Sequence, residues 1–181
     1  MDIGSPAILK NQYFFDQYAL GQLDINEYLE FCLEPLSQNS IETLNKWHQE
    51  FMQSKIIPII LPKAQAVVDE HREKGDTLLV ITATNRFVTA PIVHKYGIEN
   101  LLATEPEVKN GRYTGKVKDE PCFQKGKINH LNRWLAKTDE SMVGSVFYSD
   151  SHNDLPMLEL VDHPVVVNGD ATLQKLLLKN I

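Results

Sequence analysis

Two carboxylates, a carboxamide and an imidazole fall within five consecutive positions in the run YSDSHNDLPML at residues 148–158. An apolar run at 143–148 precedes them and an apolar-periodic segment follows, which is typical of a strand whose terminal loop opens a helix. Asp150 lies where a strand-end carboxylate can meet a hard cation, and Asp154 follows four residues later. Since Mg²⁺ takes one or two carboxylates and keeps several waters, the run predicts part of a metal site. The alternative is an N-capped helix with solvated acids.

A second polar stretch, TATNR at residues 82–86, follows the apolar run at 78–81. A hydroxyl at a strand end, followed by amides that open a helix, suits an anionic oxygen. The alternative is that Thr82 and Thr84 only cap the next helix. A third stretch, at 124–128, places lysine at a helix start, where it could neutralise a phosphate. Taken alone, such a lysine more often lies on the surface.

The elements that position these stretches change in pattern near residue 60. Before it, three aromatic-rich segments have helical periodicity, and we expect Asp24 and Ser40 to begin two of them and Pro35 to end one. From residue 63 onward, helices and strands alternate. The strands are predicted at 77–82, 101–104, 143–148 and 164–167, with a hairpin around Asn110-Gly111.

This alternation predicts an α/β fold with a doubly wound, mostly parallel sheet and helices on both faces. The leading helices are expected to form a separate module at 1–60, followed by the core at 61–181. The apolar, β-branched strand at 77–82 is expected to be buried on both faces. Because ligands bind at the carboxyl ends of strands in open parallel sheets, the three polar stretches should converge.

Composition excludes several classes of protein. The 181 residues carry a net charge of -6 and show no basic stripe, so nucleic acid is not an expected partner. No apolar run approaches the ~18 residues that a membrane-spanning helix needs, and the start lacks the pattern of a secretory signal. We therefore expect a cytoplasmic protein with no membrane partner, in which Cys32 and Cys122 are reduced thiols. The sequence leaves the oligomeric state open.

The order of the three stretches resembles motifs two, three and four of the haloacid dehalogenase superfamily. The runs ITATNRFVTAPI, CFQKGK at 122–127 and FYSDSHNDLPMLE are similar to those of its subfamily IB hydrolases, the relatives of phosphoserine phosphatase. The likeness covers nearly the whole chain, and the last run is the most specific. It implies a Rossmann-like core with an N-terminal helical cap, and Mg²⁺-dependent hydrolysis of a small phosphorylated metabolite.

The resemblance also implies a role for individual residues. Thr82 matches the hydroxyl that binds the transferring phosphoryl group, with help from the Ala83 amide. Asp150 matches the Mg²⁺ ligand, and Asp154 matches the acid that orients metal-bound water or the lysine. Asn153 would lie near the phosphoryl group or a metal-bound water.

Three further positions are less determined. The subfamily pattern favours Lys127 as the third-motif lysine, whereas phosphoserine phosphatases place that lysine at the position of Lys125. Arg86 is a candidate for binding a substrate carboxylate or a second phosphate, although an arginine at a helix start more often faces solvent. His152 matches no ligand of the family and is expected to have no role in the site.

The family's first motif is absent from this sequence. Its members attack phosphate with an aspartate in a D-x-D-x-[TVN] motif after the first strand, and the chain contains no D-x-D. We expect that strand upstream of Met1, which would make this a truncated form with unpaired edges on the flanking strands. Losing the nucleophile should reduce catalysis on the order of 10³-fold or more. The alternative is a non-catalytic binding or regulatory module, and the substrate stays open in either case.

Overall fold

The computed structural model describes residues 5–179 and begins with three helices: α1 (Pro6–Ala19), α2 (Ile25–Gln38) and α3 (Ile41–Phe51). The Asp24 side chain accepts hydrogen bonds from the two amides at positions 26 and 27, and the Ser40 hydroxyl accepts one from the amide at 43. Both predicted helix starts are therefore confirmed. The predicted end at Pro35 is wrong, because α2 continues to Gln38. Burial of Leu36 stabilises the turn that follows the proline.

α3 runs on without a break into a π-helical turn (Met52–Ile56) and a 3-10 turn (Ile57–Ile59). The remaining elements then alternate. They are α4 (Pro62–Glu73), β1 (Leu79–Asn85), α5 (Arg86–Lys95), β2 (Asn100–Thr104), β3 (Pro106–Lys109), β4 (Arg112–Val117), α6 (Lys125–Leu135), β5 (Val146–Ser149), a 3-10 turn (His152–Asp154), α7 (Leu155–Leu158), β6 (His163–Val166) and α8 (Ala171–Lys179).

The strands form three pairs. β1 runs parallel to β2, and β5 runs parallel to β6 with Val146 opposite His163. β3 and β4 form the predicted antiparallel hairpin, whose turn residues Asn110 and Gly111 have φ of 50° and 73°. Positive φ at both turn positions is what an Asn-Gly pair tolerates, so the hairpin prediction is confirmed together with the α/β class.

The two parallel pairs share packing helices although no strand joins them within residues 5–179. On one side, Val68 of α4 packs against the core beneath β1 and β2, and His71 of the same helix bonds the Tyr148 hydroxyl of β5 at 2.8 Å. α6 contacts β1 and β2 and also α7, which packs on β5. Each of these four strands has one hydrogen-bonded neighbour in the described part of the chain.

This pairing corrects the expected burial of β1. Residues 79–83 of the strand are all half-buried, and none is fully buried. A strand is buried on both faces only where neighbours on both edges extend the sheet around it, and β1 has a neighbour on one edge. The fully buried residues beside it belong to β2, to α5 and to the turn between them, where Ile98 lies.

A second apolar cluster joins the leading helices to the rest of the chain. Leu29, Leu33, Leu36 and Leu44 pack together, and Phe87, Tyr113 and Val117 of α5 and β4 contact them. Among the described helices, none is both long and apolar enough to cross a membrane. Cys32 and Cys122 are free thiols, as expected.

Candidate functional site

A buried ion pair joins two of the three predicted stretches. The Lys127 Nζ atom donates to Asp154 Oδ1 at 2.5 Å, and the two side chains are only 9% and 12% exposed. The second carboxylate oxygen of Asp154 accepts a hydrogen bond from the Ser149 hydroxyl at 2.9 Å. Lys125, two residues earlier, is exposed. The structure therefore places Lys127, and not Lys125, against the loop that follows β5.

Tight packing fixes the start of α6 where Lys127 lies. A Cβ atom on Gly126 would stand 2.1 Å from the Pro121 carbonyl oxygen, which is far inside van der Waals contact. Glycine is thus required for the helix to approach the preceding segment this closely. The close approach brings the lysine of the next position into the site instead of leaving it in solvent.

The loop after β5 is held by its own hydroxyls. Ser149 accepts a hydrogen bond from the Ser151 amide, and Ser151 accepts one from the Asn153 amide, both at 3.2 Å. The helix predicted to follow this loop is preceded by a 3-10 turn at His152–Asp154. Asp150 is exposed, and its carboxylate forms no hydrogen bond or ion pair with the residues that the structure describes. That carboxylate is available to a ligand from solvent.

The end of β1 reaches the same region through Thr104. Its hydroxyl donates to the Ala83 carbonyl at 2.8 Å and accepts from the Cys122 amide at 3.0 Å. Burial raises the pKa of the Cys122 thiol to about 11. The charge of Lys127 lowers this pKa and the charge of Asp154 raises it. The hydrogen bonds of Thr104 tie the Cys122 segment, which precedes α6, to the Ala83 carbonyl of β1. The thiol stays protonated at neutral pH and is a poor nucleophile.

The helix-capping alternative for Thr82 and Thr84 is wrong. Asn85 caps α5, because its side-chain oxygen accepts from the Val88 amide at 3.1 Å. The Thr82 hydroxyl instead accepts a hydrogen bond from the Thr84 amide at 3.2 Å. Thr82 is half-buried and lies three residues before the end of β1, at its last regular pair with β2 before the register shifts.

Tyr18 of α1 is a site residue that sequence reasoning missed. Its hydroxyl shares a hydrogen bond of 2.7 Å with the Ser151 hydroxyl, and its carbonyl accepts one from the Asn153 side chain. The Asn153 side-chain oxygen accepts from Gln124, so both ends of this amide bind the protein. No spacing in the sequence links position 18 to position 151, and only the packing of α1 on the loop shows the contact.

Tyr18 should make stability depend on pH in alkaline solution. Burial raises the pKa of Tyr18 above its usual 10.0, and the Asp154 and Asp150 carboxylates raise it further, against the Ser151 hydrogen bond. At a pH between the pKa of Tyr18 in the unfolded chain and its higher pKa in the folded chain, the phenol has lost its proton in the unfolded chain and keeps it in the folded chain. Stability is therefore complete below pH 10 and falls as the pH rises through the folded pKa.

Replacing Tyr18 with phenylalanine should reduce this alkaline loss, while costing about 0.5–1.5 kcal/mol at neutral pH for the hydrogen bond to Ser151. Urea denaturation across this pH range measures both effects. Burial also raises the pKa of Tyr28 and Tyr113, so part of the decrease in the free energy of unfolding with rising pH should remain in the variant. Tyr13→Phe is the matched control, because Tyr13 is 49% exposed. Equal slopes for the two variants and the parent chain would contradict the prediction.

Arg86 and His152 lie apart from the ion pair. Arg86 does not simply face solvent: its Nε atom donates to Glu105 at 2.5 Å and its Nη2 atom to the Leu101 carbonyl at 2.6 Å. His152 Nδ1 lies 2.8 Å from an oxygen of Asp170, which also accepts from the His152 amide. The hydrogen bonds made by Asp170 lower its pKa in spite of its desolvation. His152 thus helps to anchor the loop to the start of α8.

The side chains present fit one position of a cation shell. Within residues 5–179, no three His, Cys, Asp or Glu residues come together as a metal-binding group. Both carboxylate oxygens of Asp154 are already bonded to Lys127 and Ser149. The exposed Asp150 carboxylate is the available ligand, and a cation such as Mg²⁺ that keeps most of its water can bind to one carboxylate.

Comparison with known proteins gives a consistent assignment. A sequence profile of the haloacid dehalogenase-like hydrolases matches residues 6–159. A histidinol-phosphatase of Neisseria meningitidis is 45% identical over 170 residues, covering 92% of this chain and 77% of that protein. A probable phosphatase of Mycobacterium tuberculosis is 32% identical over 126 residues, covering 70% of this chain. The chain matches only 44% of the length of this mycobacterial relative.

Solved structures show the same fold. A Bordetella pertussis protein of unknown function superposes with a TM-score of 0.89 at 38% identity, covering 98% of this chain and 82% of the other. A probable phosphoserine phosphatase of Vibrio cholerae superposes with a TM-score of 0.68 at 15% identity. The second match covers 93% of this chain and 50% of the other, and it shows the fold alone.

Proposed function

The chain belongs to the haloacid dehalogenase-like hydrolase family, and we propose on that basis that its site binds the phosphoryl group of a small phosphomonoester for Mg²⁺-dependent hydrolysis. The observation that carries this proposal is the buried pair of Lys127 and Asp154, with Lys127 on the helix α6 that contacts β1. A fixed ammonium group, a hydroxyl on a neighbouring strand and a free carboxylate can together hold a phosphoryl group and a cation.

Each residue in this proposal contributes through its charge or its hydrogen bonds. The Thr82 hydroxyl and the Ala83 amide bind phosphoryl oxygens. Lys127 offsets the repulsion between a phosphate dianion and nearby carboxylates, which is roughly 4 kcal/mol per charge pair at about 4 Å and an effective dielectric of about 20. Asp154 holds the Lys127 ammonium in place, and Ser149 holds Asp154. The lysine is therefore oriented before substrate binds.

Asp150 is the residue that we propose holds Mg²⁺. Its exposed carboxylate lies at the end of β5, on the loop that carries Asp154. A bound Mg²⁺ would supply positive charge to the transferring phosphoryl group. The helices before residue 60 would act as a cap over the site, since Tyr18 already bonds Ser151 and Asn153. A cap of this kind would exclude water and select the substrate.

The substrate is proposed from the relatives' names. The Neisseria relative is a histidinol-phosphatase, so L-histidinol phosphate is the first substrate to test. L-Phosphoserine is the second, because the sequence motifs resemble those of the relatives of phosphoserine phosphatase. The sequence contains no D-x-D. We therefore propose that the 181-residue chain binds phosphate but turns over slowly, at least about 10³-fold below an enzyme with the nucleophile. The lack of D-x-D within these 181 residues is equally compatible with a second candidate, a phosphate-binding module without turnover.

Phosphate release and phosphate binding should be measured on the same purified chain. Release is followed with the two candidate substrates and a generic aryl phosphate, in MgCl₂ and in EDTA, beside the Neisseria enzyme. Binding of inorganic phosphate is followed by calorimetry, and Thr82→Val should weaken it about tenfold by removing one hydroxyl. Turnover near that of the Neisseria enzyme would contradict the proposal that this chain lacks a nucleophile. Absence of both turnover and phosphate binding would overturn the proposed site.

A further inference from the structure

A cavity of about 600 Å³ lies between the leading helices and the core. Its first wall is one face of α3 and the π-helical turn, its second is the start of α5, and its third is the β3–β4 hairpin with Glu105. None of Thr82, Lys127, Asp150 or Asp154 lines it. A concave site with apolar walls and a few convergent polar groups is the usual form of a small-molecule site. This cavity is separate from the ion pair of Lys127 and Asp154.

Three aromatic rings line the cavity beside aliphatic side chains. The centroids of His48 and Phe87 are 5.2 Å apart at 75°, and those of Phe87 and Tyr113 are 5.6 Å apart at 71°. His48 Nε2 lies 3.1 Å from the Val88 carbonyl oxygen, which can only accept, so this nitrogen carries the proton and the ring is held. The rings come from three different elements and pack edge to face, so each ring is held by its neighbour and a ligand ring could pack against them.

A half-buried ion pair forms the polar part. The Arg86 and Glu105 side chains are 39% and 34% exposed and are joined through Nε and Oε1. Within the described residues, Arg86 Nη1 and Glu105 Oε2 have no hydrogen-bond partner. Burial, and then the Glu105 carboxylate, raise the pKa of Tyr113, so that its phenol stays protonated beside the pair. The cavity therefore offers one donor group and one acceptor oxygen at neighbouring positions.

We propose that this cavity binds an aromatic α-amino acid, with its ring against His48, Phe87 and Tyr113. Its carboxylate would bind Arg86 and its ammonium would bind Glu105. A ligand with a single charge would be attracted by one member of the ion pair and repelled by the other, whereas a zwitterion satisfies both. The proposal goes beyond the phosphatase function, because the ligand needs no phosphoryl group. It gives Arg86 a carboxylate partner outside the Lys127 site.

Calorimetric titration of the 181-residue chain tests this inference. The probes are L-tryptophan, L-phenylalanine and L-histidine. Indole serves as a control that has only the ring, and glycine as one that has only the zwitterion. Adenosine is a control with an uncharged heteroaromatic ring. The aromatic amino acids should bind with a Kd of about 1 mM. At least one should bind roughly tenfold more tightly than either fragment. Tighter binding of adenosine, or no saturation at about 10 mM, would overturn the proposal.

Filling the cavity provides the site control. Val108 lines it from the exposed hairpin, so Val108→Trp should weaken binding about tenfold or more. Val143→Trp makes the same substitution at a residue that is 88% exposed and outside the cavity, and it should leave binding unchanged. Gln49→Trp fills the cavity from the opposite wall and serves if the hairpin variant does not fold. Equal binding by the cavity-filling and control variants would place the ligand elsewhere.

Discussion

Replacing Lys127 with methionine is expected to lower the free energy of unfolding by roughly 3–5 kcal/mol. The change removes the ammonium group that pairs with Asp154 and leaves a carboxylate only 12% exposed, with Ser149 as its remaining hydrogen-bond donor. A buried charge without its partner retains the full cost of desolvation, which is larger than the net value of the intact pair. Urea denaturation followed by circular dichroism at neutral pH measures the change.

Lys125→Met is the matched control, because Lys125 is exposed on the same first turn of α6. It should change stability by no more than about 0.5 kcal/mol. Binding of inorganic phosphate should likewise be kept in this variant and lost in Lys127→Met, which separates the two candidates for the third-motif lysine. Equal losses of stability in both variants would mean that the buried ion pair does not contribute as described.

The elements of this fold can be predicted from local signals. Asp24 and Ser40 begin helices because their side chains accept hydrogen bonds from the first turn, and Asn110-Gly111 turns a hairpin because both residues tolerate positive φ. The predicted helix end at Pro35 was wrong because the hydrogen bond that a proline removes did not end the helix here. The buried leucines on either side of it, Leu33 and Leu36, hold the helix together across that position.

Strand pairing could not be predicted in the same way. Hydrogen bonds between strands join residues far apart in sequence, and an apolar run such as 78–81 does not show how many neighbours its strand will have. The run predicts a strand buried on both faces, whereas β1 pairs only with β2 among the described residues and is half-buried. Its burial depends on a contact that its own sequence does not encode.

The candidate site could be predicted in part. Parallel strands end at one edge of a sheet, so Thr82, Asp150 and a lysine from the third stretch were expected together. Choosing Lys127 over Lys125 required the packing of Gly126 on Pro121. The contact of Tyr18 with Ser151 and the pairing of Arg86 with Glu105 required tertiary structure, because they join separate elements through side chains alone.

Coupling between the leading helices and the core can be tested at Leu33, which is 1% exposed in α2. Its cluster includes Phe87 of α5 and Tyr113 and Val117 of β4. α2 also lies against β4, where a Cβ atom on Gly115 would be 3.2 Å from the Ser37 side chain. Apolar contacts therefore run without a break from the helices into the core, and the two parts should unfold together.

Leu33→Ala is expected to lower the free energy of unfolding by about 2–5 kcal/mol, since it removes buried methyl groups and leaves a cavity. The parent chain and the variant should each unfold in one transition, with coincident curves from tryptophan fluorescence and circular dichroism. Leu20→Ala is the control, because Leu20 is 64% exposed, and it should have little effect. Two separate transitions, with only the first shifted by the substitution, would instead show that the helices at 1–60 fold independently of the core at 61–181.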